Sequence, residues 1–144
     1  MVTVERSVLV SYAAHQMYAL VDGVEQYPAF LPWCESATID QQVPGEMMAT
    51  IGLNYRGVRQ QFTTRNDQVA GSSITINLVR GPFRQLTGLW RFVPLADNAC
   101  KIEFRLEYEF ASQLLGKLIG PVFNHIAGTL VDSFVRRAED IYGA

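Results

Sequence analysis

A chain of 144 residues, 49% hydrophobic and 18% charged with a net charge of −2, has the size of one domain. It can bury about two-thirds of the surface that its unfolded form exposes. That charge balance gives no global basic field, so nucleic acid or acidic lipid would have to be met by a local patch. No stretch approaches the ~20 apolar residues of a spanning helix. Glu5 and Arg6 interrupt "MVTVERSVLV" where a signal peptide needs an unbroken apolar run, so a soluble cytoplasmic protein is expected.

In chain order, Val2, Val4, Val8 and Val10 share one parity around Thr3, Glu5 and Ser7, the period of a half-buried strand. Ser11 is placed to cap a helix starting at Tyr12, with Met17, Leu20 and Val21 on its apolar side. Asp22 and Glu25 have the spacing of a capping pair for a second short helix. Pro28 and Pro32 restrict that helix to a turn or two, because proline lacks an N–H and constrains the residue before it. A strand is expected near Glu35 to Ile39.

Five further segments alternate as strands. Met47, Ala49, Ile51, Leu53 and Tyr55 share a face in "MMATIGLNY". Val58 and Phe62 oppose Arg59, Thr63 and Arg65, and Ile74, Ile76 and Leu78 oppose Ser73, Thr75 and Asn77. Leu86, Gly88, Trp90 and Phe92 form the next set; Ile102, Phe104, Leu106, Tyr108 and Phe110 then alternate with Lys101, Glu103, Arg105, Glu107 and Glu109. Gly45, Gly57, Gly71, Gly81-Pro82 and Asp97-Asn98 supply the turns, which points to an antiparallel meander with one wet face. The carboxylates of the last strand lie opposite its aromatics and alternate with cations, as on a solvated surface.

From Leu114 to Tyr142 the period becomes helical. Leu115, Ile119, Val122, Phe123, Ile126, Leu130, Phe134 and Ile141 form one stripe, and His125, Asp132, Arg136 and Glu139 lie opposite. Gly116 and Gly120-Pro121 predict a kink, or a short piece before the main helix. A long helix over a curved antiparallel sheet is a two-layer α+β domain. Periodicity leaves open whether the inward Ile, Leu, Phe, Tyr and Met side chains enclose a pocket or fill a core.

Cys34 and Cys100 stand too far apart in sequence for a redox pair or zinc knuckle, and neither His15 nor His125 is placed to activate a thiol. Two small apolar packing groups are expected, with no clustered metal ligands.

"YPAFLPWC", "FTTRN", "GPFRQLTGLWRF" and "GPVFNHIA…FVRRAEDIYG" together resemble the START-like helix-grip proteins of the coenzyme Q-binding and RatA-type (ribosome association toxin) family, within the polyketide cyclase and lipid transport superfamily. "PLADNACKIEF" is similar to the RatA branch in particular. The resemblance spans nearly the whole chain as a single START-like domain, residues 1–144. It implies the α+β helix-grip fold: a curved antiparallel sheet of about seven strands around the C-terminal helix, two short helices after the first strand, and a hydrophobic tunnel between the layers.

Tyr27, Phe30, Leu31 and Trp33 would then form a lid, with Phe30 and Leu31 at its rim. Tyr55, Phe62, Trp90, Phe92, Phe104, Tyr108, Phe123 and Ile126 would line the tunnel. Three functions follow from the resemblance. The first is non-enzymatic binding of ubiquinone or a related isoprenoid lipid in support of respiration, needing no other cofactor and permitting transient contact with the inner membrane. The second is binding to the large ribosomal subunit and blocking subunit association, with contacts drawn from Arg56, Arg59, Arg65, Arg80, Arg84, Arg91 and Lys117, above all Arg59 and Arg65. The third is an enzyme like the polyketide cyclases. No feature marks a sequence-specific nucleic-acid binder.

Overall fold

The structure, a computed structural model, describes residues 1–143. Strand β1 (Val2–Val10) leads through helix α1 (Ala14–Asp22), a single 3-10 turn (Val24–Gln26) and helix α2 (Tyr27–Phe30) into a meander. That meander comprises β2 (Cys34–Val43), β3 (Glu46–Tyr55), β4 (Val58–Val69), β5 (Ser73–Arg80), β6 (Phe83–Ala96) and β7 (Ala99–Phe110), and helix α3 (Gln113–Tyr142) follows. All seven strands form one antiparallel sheet in the order β1-β7-β6-β5-β4-β3-β2. Register shifts in β2, between β4 and β5, and at both ends of β6 break the ladder. Such bulges bend strands and sharpen twist, which suits a sheet curved around one helix. This is the α+β helix-grip architecture expected from the sequence.

The inward parity of β3, β6 and β7 meets the stripe of α3, and the buried set includes Met47, Trp90, Phe92, Ile102, Tyr108 and Phe134. Ser112 caps α3, its hydroxyl accepting from the Leu115 N–H at 3.1 Å. The guanidinium of Arg6 donates to the Gly128 carbonyl at 3.2 Å, tying edge strand β1 to the helix.

Four local expectations are corrected. Helix α1 begins at Ala14 with Ala13 as its cap residue; the Gln16 side chain accepts from the Ala13 N–H at 2.9 Å, so the cap comes from within the first turn and Ser11 is not used. Asp22 ends α1 instead of opening a second helix, and its carboxylate accepts from the Gln68 amide. Helix α3 is a single element through Gly116, Gly120 and Pro121, so no separate short piece precedes the main helix; its buried stripe holds it together across the proline. Ile141, assigned to that stripe, is 50% exposed; the last turn is instead held by Tyr142, whose hydroxyl donates to the Gln16 carbonyl at 2.9 Å and whose ring meets Tyr12 at 6.0 Å. By length and composition α3 is also apolar enough to cross a membrane, contrary to expectation; here its inward side is packed on the sheet.

Candidate functional site

A cavity of about 110 Å³ lies between the concave face of the sheet and α3. Strands β3, β4, β6 and β7 contribute Ala49, Ile51, Phe62, Leu86, Trp90, Phe104 and Leu106; α3 contributes Phe123, Ile126, Leu130 and Phe134; Tyr27 and Trp33 close it from the α2 side. The sequence-expected Tyr27, Trp33, Phe62, Trp90, Phe104, Phe123 and Ile126 are thus brought together around one space. Tyr27 and Phe30 stack edgewise on Phe134, with ring centroids 5.4 and 5.3 Å away, which holds α2 on the helix. The Tyr27 hydroxyl donates to the Val21 carbonyl, so its polar end is spent on the fold.

The other expected residues lie elsewhere. Leu31 is only 1% exposed and packs in the core, away from the rim position expected for it, because the chain turns inward where α2 ends. Phe92 stacks behind Trp90 (6.1 Å, 2°) and Tyr108 packs on Phe83 and Phe123, both outside the cavity wall. Phe30 and Tyr55 border a separate outer groove of about 330 Å³, with Trp33, His125, Asp132, Arg136, Arg137 and Asp140. There the Tyr55 and His125 rings stack at 5.8 Å and 5°, and the Arg137 and Arg56 guanidiniums lie over Phe30 and Tyr55, 4.9 and 5.3 Å from the ring centres.

Two cavity residues carry no mark in the apolar periodicity: Thr64 and Asn66, 5% and 8% exposed. Their hydrogen bond, Thr64 hydroxyl to Asn66 Oδ1 at 2.9 Å, is the polar feature of an otherwise apolar wall. The inward parity of Val58 and Phe62 continues through positions 64 and 66, so a polar residue on that parity was the available signal.

Cys34 and Cys100 are buried free thiols. Burial pushes the Cys34 thiol up to about 11, and its Sγ donates to the Ser36 carbonyl at 3.3 Å. Burial likewise pushes Tyr108 up to about 12 and raises Tyr27 still further. These displacements lead away from neutrality, which suits packing rather than proton transfer. Among the described residues, no group of three or more His, Cys, Asp or Glu side chains could hold a metal ion.

The basic pair expected on β4 is already matched. Arg59 meets Glu35 at 2.7 Å; Arg65 lies 3.8 Å from Glu46 and 3.7 Å from Asp67. Arg84, Arg91 and Arg105 are paired with Glu109, Glu103, and Glu5 and Glu107 across the outer face of the sheet. Cross-strand register produces this, since opposite charges on one face meet across the ladder. Arg56, Arg136 and Arg137, beside the outer groove, have no carboxylate within 4.0 Å among the described residues.

The polyketide cyclase / dehydrase and lipid transport family matches over residues 10–135. Ribosome association toxin RatA of Escherichia coli (strain K12) is 43% identical over 141 residues, covering 98% of this chain and 89% of that one. A mitochondrial coenzyme Q-binding protein homolog of Xenopus laevis is 25% identical over 141 residues, covering 95% of this chain and 58% of that one. Among solved structures, an 18 kDa protein from Caulobacter crescentus superposes with a TM-score of 0.76 at 32% identity, over the full length of both chains. The Zhui aromatase/cyclase of Streptomyces sp. R1128 reaches a TM-score of 0.82 at 17% identity, covering 96% and 93%, a likeness of fold alone. The chain belongs to the polyketide cyclase / dehydrase and lipid transport family, alongside the RatA proteins.

Proposed function

We propose that the chain is a non-catalytic binding protein that associates with the ribosome, as its RatA relatives' name describes, and does so through the large subunit. The observation that carries this is the 43% identity running collinearly through 98% of the chain. The charge layout favours a local contact over a broad one, because Arg59, Arg65, Arg84, Arg91 and Arg105 are paired with carboxylates while Arg56, Arg136 and Arg137 remain beside one groove. Arg56 also takes φ 51° at the β3–β4 turn, with Gly57 at φ 81°. A two-residue hairpin of this hand prefers Asn or Gly at that position, so an arginine there is held at some conformational cost.

The test is co-sedimentation with purified ribosomal subunits over a salt series. Replacing Arg56, Arg136 and Arg137 by serine should weaken association and flatten its salt dependence, the log–log slope falling by about one for each phosphate no longer neutralised. Arg59→Ser with Arg65→Ser should change little. No co-sedimentation of the unmodified protein at low salt would overturn the reading.

A second reading is favoured by the cavity: uptake of the ring end of a hydrophobic molecule such as an isoprenoid quinone. At about 110 Å³ the space is smaller than the 300–1,000 Å³ usual for drug-sized ligands. A whole isoprenoid quinone would therefore require α2 to move off Phe134. Leu114 and Leu118, 66% and 61% exposed on the first turns of α3, would serve brief contact of a cytoplasmic protein with the inner membrane. Native mass spectrometry of protein purified from its host tests this: a co-purified quinone supports it, and protein free of any bound small molecule removes it.

A further inference from the structure

We infer that Asn66 and Thr64 select the ligand of the cavity, admitting a compact ring that carries a hydrogen-bond acceptor oxygen, such as a ketone, in preference to a plain hydrocarbon of the same shape. This rests on the reading that the cavity takes the ring end of a hydrophobic molecule. Asn66 is more than nine-tenths buried and its side chain borders the cavity. Its carbonyl is occupied by the Thr64 hydroxyl at 2.9 Å. Its amide nitrogen donates to no group among the described residues, yet no side-chain nitrogen or oxygen there is both sealed from solvent and unpaired. The nitrogen is therefore not sealed off, and the side chain that carries it lines the cavity. An amide donor facing apolar walls is costly unless something accepts its hydrogens.

Thr64 and Asn66 are presented by plain strand parity, on the same side of β4 as Phe62. Strand β4 runs in unbroken register with β3 through the pair, and the irregularity toward β5 is on the β5 side, where Val79 is the extra residue between the partners of Thr63 and Thr64. Thr63 on the other face is 1% exposed and bonds to Thr50 at 2.8 Å. Were the pair only core, valine and leucine would serve the same positions with β-favouring shape and no polar cost. A space of about 110 Å³ holds several waters but not two fused rings; an empty apolar cavity of about 150 Å³ accepts benzene. The ligand's buried end is thus one ring, with modest widening by α2.

Acetophenone and ethylbenzene, nearly the same shape and differing in the carbonyl, are the probes. Binding is read by ligand-observed NMR and by quenching of Trp33 and Trp90. In the unmodified protein acetophenone should bind at least as tightly as ethylbenzene, although ethylbenzene is the more hydrophobic. In Asn66→Leu, acetophenone affinity should fall about tenfold, the worth of one buried hydrogen bond, while ethylbenzene affinity holds or rises. Thr64→Val should lower acetophenone affinity by less than Asn66→Leu and leave ethylbenzene unchanged, since the amide donor remains but loses the hydroxyl that orients it.

Should Asn66→Leu fail to fold, the preference of the unmodified protein decides alone. Tighter binding of ethylbenzene there means that water satisfies Asn66, and it overturns the inference while leaving the cavity reading intact. Equal losses for both probes in Asn66→Leu also overturn it. If neither probe binds the unmodified protein, the cavity reading fails and takes the inference with it.

Discussion

Filling the cavity should make the protein more stable and unable to bind an apolar probe. Ala49 is the place to do so: it is 1% exposed, it borders the cavity, and it sits mid-strand between Ile39 of β2 and Thr64 of β4. At about 24 cal/mol per Å³, a void of about 110 Å³ costs at most about 2.6 kcal/mol, which bounds what filling can recover. Ala49→Ile adds three carbons at about 0.8 kcal/mol each, less about 0.5–1 kcal/mol of lost rotamer freedom, for a gain of about 1–2 kcal/mol. For a domain of this size that raises the thermal midpoint by about 3–6 °C. The β-branched side chain also suits a strand. Calorimetry gives the midpoint, and ethylbenzene titration followed by ligand-observed NMR gives binding, which should be lost. A lower midpoint with undiminished ethylbenzene uptake would refute the reasoning, because it would place the free space away from Ala49. Ribosomal co-sedimentation should be unaffected, which separates the cavity from the outer groove.

Two further outcomes are expected. The Cys34 thiol is raised from 9.0 to about 11, so the unfolded chain ionises first; its stabilising contribution is complete below pH 9 and is lost as pH rises toward 11. The midpoint should therefore fall less steeply over that window in Cys34→Ala than in the unmodified protein, and iodoacetamide at neutral pH should label Cys34 only after denaturation. Leu31→Glu should lower the midpoint by ~10 °C or more, since it forfeits a buried leucine and buries a carboxyl; Phe30→Glu, half-buried at the groove, should keep the fold, and a Leu31→Glu midpoint within a few degrees of wild type would return Leu31 to the rim.

The fold was legible because its signals are redundant. Alternation in "KIEFRLEYEF" fixes which side of β7 is buried, and Ile102, Phe104, Leu106 and Tyr108 are indeed inward while Arg105 meets Glu5 and Glu107 outside. On the stripe of α3, Ile119, Phe123, Ile126 and Phe134 are buried as its period requires, and Val122 and Leu130 are partly buried at its edges. Helix boundaries were less legible. A serine before a helix is a common cap, yet here Gln16 reaches back to Ala13, and only the path of the chain from β1 decides between them. Gly120-Pro121 likewise left a kink and a separate short piece both open, and packing on both sides of the proline keeps one continuous helix.

The site was half legible, and the reason is geometric. Parity identifies which side chains point inward, but separating a cavity wall from solid packing depends on distances between elements far apart in sequence. Phe92 and Trp90 share a parity on β6, and only Trp90 borders the space because Phe92 lies behind it under Tyr18, at 5.8 Å. The arginines show the same limit. Arg59 and Arg65 form the plainest basic pair in the sequence, and strand register sets both against carboxylates. Arg136 and Arg137 read as an ordinary helix surface until the β3–β4 turn brings Tyr55 and Arg56 to the same edge. Chemistry left over after the fold has paired what it can is therefore the better guide to binding: an amide at Asn66 inside, and three guanidiniums beside one groove outside.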